Sequence, residues 1–169
     1  YRLWFNASAY HNLPVINGQQ QDQGRLHRAR QVSYRKDKVQ TSLAMNIEQA
    51  YPLPSLAWKR TIASDHEKIS VTDISSSAKP LASLTQSFMT VCNVDIDQPG
   101  IIRLITEHGA KVSIRYENDW QPTKETISLT TEEDQGLKLT WHDKPITRIL
   151  LTHRLPIVIS HFQYLITKE

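Results

Sequence analysis

The chain has a single cysteine, Cys92, in 169 residues. An internal disulfide and a cysteine-built zinc cluster are therefore excluded. Set within the alternating run FMTVCNV, Cys92 reads as a small core residue rather than a nucleophile. There are only five glycines, and none lies in a phosphate-cradling loop or a G-x-S-x-G elbow. Nucleotide-loop and elbow-type hydrolase chemistry fall away with them. No uninterrupted apolar run approaches the roughly 18 residues that a membrane-crossing helix needs. His11, His27, His66, His108, His142, His153 and His161 never stand at H-x-H or HExxH spacing, so there is no self-contained metal motif. There is no initiator Met, and YRLWFNASAY at 1–10 alternates in the manner of a strand. A fragment that starts inside a structural element is expected.

What is present is period-two patterning rich in Val, Ile, Thr and aromatics, broken by turn residues, with no convincing period of 3.6. The candidate strands are 2–9, 14–16, 26–34, 39–46, 57–63, 69–75, 84–92, 101–105, 111–116, 126–130, 137–141, 147–152 and 157–166. Asn17-Gly18, Asp97-Gln98-Pro99-Gly100 and His108-Gly109 supply the turn chemistry between them. The acidic stretch TTEEDQ reads as a connection with a short helical turn capped by Thr130 or Thr131. So many short strands favour two packed antiparallel sheets, because one open sheet would leave an apolar face in water. The expected fold is all-β, an antiparallel sandwich of about twelve strands. It forms one domain over 1–169, since no linker, repeat or low-complexity tract divides the chain.

The net charge of +3 conceals an uneven distribution. Residues 25–38 hold Arg25, Arg28, Arg30, Arg35, Lys36 and Lys38 against Asp37 alone. Such a run suits a polyanion, either a sulfated or uronate-rich glycan or nucleic acid. It also suits a solvated strand face. Asp65 with Glu67 and Asp95 with Asp97 would share strand faces, but each pair sits beside turn residues, where Asp caps backbone N–H groups. Of the four tryptophans, Trp4 and Trp58 read as core anchors, and Trp120, in ENDWQP, as the one exposed for sugar stacking.

AYHNLPVINGQQ at 9–20, continued by QDQGRLHRARQV, resembles the His-Asn motif that closes the heparinase II/III-like region of polysaccharide lyases. IEQAYPLPSLAWKRTI, ISVTDI, FMTVCNVDIDQPGIIRL and DKPITRILLTHRL extend the likeness over nearly the whole chain, as the family's carboxyl-terminal part. The run Gln19-Gln20-Gln21 departs from the familiar pattern and leaves the substrate open. The resemblance implies a larger bacterial enzyme, periplasmic or secreted. In it an α-helical toroid precedes the β-sheets and uronate-containing glycans of the heparin and heparan sulfate kind are cleaved by β-elimination. A base removes the C5 proton, the carboxylate charge is neutralised, and an acid protonates the leaving oxygen. The Tyr and His that do this lie upstream of Tyr1, so no catalytic residue is expected here.

The resemblance also implies that His11 helps to hold zinc in the intact protein, with a His and an Asp from earlier strands. No cofactor is expected in this chain alone, because a single imidazole binds too weakly. The expected role is a non-catalytic sandwich forming part of the substrate cleft wall. Its glycan contacts are Arg25, Arg28, Arg30 and Trp120. Its partners are the upstream toroid and an acidic polysaccharide, not nucleic acid, and it is a monomer or a weak dimer through an edge strand. The alternative is a free-standing carbohydrate-binding or protein-interaction module.

Overall fold

The computed structural model describes residues 3–154 and 156–169. Two antiparallel sheets face each other. The smaller contains β1 (Pro14–Ile16), β6 (Leu84–Thr90), β11 (Ile146–His153) and β10 (Trp120–Ile127), in that order. The larger runs β2 (Arg30–Lys36), β3 (Thr41–Asn46), β4 (Leu56–Ser64), β5 (Lys68–Leu81), β12 (Ile157–Lys168), β9 (Lys111–Arg115), β8 (Ile101–Ile105) and β7 (Asn93–Asp95). The all-β antiparallel sandwich expected from the sequence is the fold observed. No helix among the described residues is long and apolar enough to cross a membrane.

Alternation fixes which side chains fill the space between the sheets. On β4, Leu56, Trp58 and Arg60 point inward; β12 contributes Phe162 and Tyr164, and β11 contributes Ile149 and Leu151. Trp120 packs edge-on against Phe162 and Tyr164, with ring centroids 4.8 and 5.9 Å apart. A polar bridge spans this core. Arg60 Nε and Nη2 donate to the two carboxylate oxygens of Asp73 on β5, at 2.8 and 2.6 Å. Gln86 on β6 accepts from Arg60 Nη2 at 3.0 Å and donates to Asp73 at 3.2 Å. Burial disfavours the guanidinium charge, but Asp73 outweighs it and Arg60 stays protonated beyond its usual range. The W-x-R and the strand-borne Asp of the sequence thus meet as an ion pair that ties one sheet to the other.

Several local expectations are corrected. Residues 3–10 form two 3-10 turns, Trp4–Asn6 and Ser8–Tyr10, rather than a strand. A three-residue repeat gathers Trp4 and Tyr10 on one side, where their rings meet at 4.9 Å. Residues 137–141 belong mainly to a helix, α1 (Gln135–Thr140), not to a strand. The turn Glu132–Asp134 before it is closed by a capping box between Thr131 and Asp134, which starts the helix in spite of the LKL alternation. β10 begins six residues earlier than its Val/Ile/Thr content suggested, because it is an edge strand and tolerates Pro122.

Candidate functional site

The segment 9–20 is built from both sheets. β1 pairs with β6, and Asn17-Gly18 then reverses the chain with φ of 51° and 73°, the left-handed pair of a type I′ turn. Ile16 and Gln19 close that turn with two backbone hydrogen bonds. Asn17 Oδ1 accepts from the N–H groups of Ala82 and Ser83, which fixes the turn to the strand beyond it.

Just before β1, the His-Asn pair is held from both sides. The Asn12 carbonyl accepts from Arg60 Nη1 at 3.0 Å, and its side-chain oxygen accepts from the Met89 N–H at 3.0 Å. The buried Arg60–Asp73–Gln86 bridge therefore reaches the surface through the backbone of Asn12 and sets where His11 stands. Gln20 Oε1 accepts from Ala9 N–H, and Ser8 Oγ accepts from Gln21 N–H, so the outgoing strand is stitched to the incoming turns. Burial holds the hydroxyl of Tyr51 protonated well above its ordinary range, and that hydroxyl donates to the Pro14 carbonyl at 2.7 Å.

His11 is exposed on the rim of an open polar groove of about 810 Å³ lined also by Ser8, Gln20, Gln21, Asp22 and His27. His27 Nδ1 lies 3.9 Å from Asp22 Oδ2. Among the described residues, no group of three or more His, Cys, Asp or Glu side chains converges in a way that could hold a metal ion. The ligands present in this chain do not fit a zinc site, and His11 would need partners from outside it.

A second groove of about 430 Å³ shares Asn6 and His11 with the first and is lined by Trp4, Phe5, Tyr10 and Trp141. Trp4 Nε1 donates to Asp134 Oδ1 at 2.9 Å, and Arg148 lies 4.7 Å over the Tyr10 ring. The sequence gave little sign of this aromatic cluster, because its members are 130 residues apart. The helical spacing of Leu137 and Trp141 was the signal available.

Arg25, Arg28 and Arg30 are all exposed. Among the described residues, no ion pair engages them. The expectation that Arg28 and Arg30 share a strand face is corrected. Gly24 at φ 113° and the bond from His27 N–H to the Gly24 carbonyl turn the chain over 24–27, and β2 begins only at Arg30. Gln31 at φ 49° and a register shift between Arg30 and Ser33 break the alternation again. Trp120, expected to be exposed, is only 2% exposed. Opposite His153 in the β10–β11 pair, it turns into the core, where its ring lies against Phe162 and His153 rather than open to a sugar. Asp65 accepts from the N–H groups of Glu67 and Lys68, and Asp95 from that of Asp97, so these carboxylates cap turns.

This arrangement, an eight-stranded sheet facing a four-stranded one, defines a class: it is the β-sandwich found in heparinase III structures. Heparan sulfate lyase HepC from Pedobacter heparinus, solved as a mutant, matches with a TM-score of 0.69 at 13% identity over 98% of this chain. A heparinase III gene product matches with a TM-score of 0.69 at 10% identity, and another heparinase III structure with 0.67 at 10%, each over 98% of this chain. The chain spans about a quarter of the length of these solved proteins, 25%, 25% and 24% respectively. No protein-family model matches the sequence, and no curated protein matches it. The likeness is thus one of fold, carried with little sequence identity.

Proposed function

We propose that this chain is the non-catalytic β-sandwich of a polysaccharide lyase that cleaves uronate-containing glycans of the heparin or heparan sulfate kind by β-elimination. It forms one wall of the substrate cleft beside a helical catalytic domain. The observation that carries this reading is the match of 98% of the chain to a quarter of the length of heparan sulfate lyase HepC. The groove around His11 and the exposed Arg25, Arg28 and Arg30 form the glycan-facing surface. A guanidinium holds a carboxylate or sulfate through paired N–H donors, so unpaired arginines suit a uronate-rich chain. His11 is placed by Asn12, whose two oxygens are engaged from opposite sheets. The source of HepC is a bacterium, and a periplasmic or secreted setting is where such an enzyme meets its polymer.

The test is the ultraviolet absorbance of newly formed unsaturated uronate, with heparan sulfate and heparin as substrates. We expect no signal from this chain alone and a signal from a longer protein that contains it. A signal from the chain alone would overturn the non-catalytic role. Silence from both would overturn the lyase reading.

A further inference from the structure

The groove between the first turns and α1 is unlike its neighbour in chemistry. Its lining of Trp4, Phe5, Tyr10, Trp141, Leu137 and Met89, with Asn6, His11 and Asn12 at the rim, contains no Asp, Glu, Lys or Arg. Aromatic rings and aliphatic side chains present C–H-binding faces, and the two amides and the imidazole supply both donors and acceptors. A sulfate or carboxylate would lose its water there and gain no cation, whereas an uncharged ring would lose little. The rings are also fixed in advance. The indole N–H of Trp4 is taken up by Asp134, which holds the ring's orientation. Trp141 stands at the end of α1, with its own N–H bonded to the Leu137 carbonyl and its carbonyl accepting from Lys144 N–H. Between those two residues, His142 and Asp143 both adopt positive φ, 53° and 57°. Two successive non-glycine residues in the left-handed region are unusual. The turn they form sets an indole that is 37% exposed at the mouth of the groove.

We infer that this aromatic groove is a subsite for an uncharged N-acetylhexosamine unit of the glycan, its ring lying on the Trp141 side and its acetyl methyl against Leu137 and Met89. The inference rests on the glycan reading above. The groove shares Asn6 and His11 with the polar groove, so one polymer can run through both. Its anionic units would then fall toward the arginines of 25–30 and its N-acetylated unit on the rings. Discrimination follows: an N-sulfated hexosamine has a charge where the groove offers none.

The experiment is calorimetric titration of this chain with two uronate–hexosamine oligosaccharides of equal length, one N-acetylated and one N-sulfated. Trp141→Ala should weaken binding of the N-acetylated oligosaccharide by about five- to tenfold, the scale of one lost aromatic contact, and leave the N-sulfated one nearly unchanged. Trp141→Tyr should restore most of the loss. Unchanged affinity of Trp141→Ala for the N-acetylated probe overturns the subsite, and equal losses on both probes overturn its preference for the acetyl group. A dimer that forms with rising protein concentration and is dissolved by Trp141→Ala would make a second copy the occupant and overturn it too. If the unaltered chain binds neither oligosaccharide, the glycan reading itself fails, an outcome separate from a failure of the groove alone.

Discussion

Asp73 is fully buried, with no exposed surface, and it faces a guanidinium. Coulomb attraction at short range and four hydrogen bonds among three side chains offset the desolvation of both charges. Removing one charge leaves the other stranded. Asp73→Asn should therefore destabilise the chain by about 3–5 kcal/mol in urea unfolding, whereas a double replacement of Arg60 and Asp73 by apolar residues of similar volume should cost far less. If the double replacement also detaches Asn12 from its anchor, the His11 imidazole resonances will broaden even though the fold survives. A second residue-scale prediction concerns strain. Asp143 at φ 57° is in a region where glycine is at ease, so Asp143→Gly should stabilise the chain by up to about 1 kcal/mol, read as a rise in the urea midpoint.

At the scale of elements, the first turns and α1 are locked together through one carboxylate. Asp134 Oδ2 accepts from the Thr131 backbone N–H at 2.9 Å, and Oδ1 accepts from the indole of Trp4. The backbone bond to Thr131 is the larger cause, and the Trp4 indole the next, of a carboxyl held below the usual Asp range. A depressed folded value means that the stabilisation is present above the unfolded value of 3.8 and is lost as pH falls through the lower folded value. Acidification below about pH 4 should release Trp4, which near-ultraviolet circular dichroism would report. Asp134→Asn should show the released signal already at neutral pH and no such transition in acid. A flat acid titration in the unaltered chain would contradict the lock.

At the scale of the whole molecule, the surface separates charge from apolarity. The arm 24–38 is exposed over nearly its whole length, and β2 is the edge of the large sheet with all seven of its residues exposed. Tyr34 is 64% exposed there, yet Arg35 and Lys36 flank the same edge and oppose pairing between copies. Arg28→Ala combined with Arg30→Ala should weaken binding of heparan sulfate and flatten its dependence on salt, since fewer counterions are exchanged. Equal salt slopes for variant and unaltered chain would show that the polymer does not meet these arginines.

The sequence by itself determined the class of fold and most of its punctuation. Alternation places Leu56, Trp58 and Arg60 on one face, and Asn17-Gly18 tolerates the left-handed pair that a tight hairpin demands, so these were legible from local stereochemistry alone. The TTEEDQ turn was legible for the same reason. Tertiary structure decided the rest. Trp120 lies in a polar stretch and looked exposed, but pairing with β11 turned its ring into the core. Residues 137–141 alternate like a strand, but the capping box before them and the groove beside them made a helix. The meeting of Arg60 with Asp73, and of Trp4 with Asp134, joins residues 13 and 130 apart. Local propensity acts over a few neighbours, whereas burial and charge pairing act between whatever the sheets bring together, and that is why the elements could be read early and the grooves only from the assembled fold.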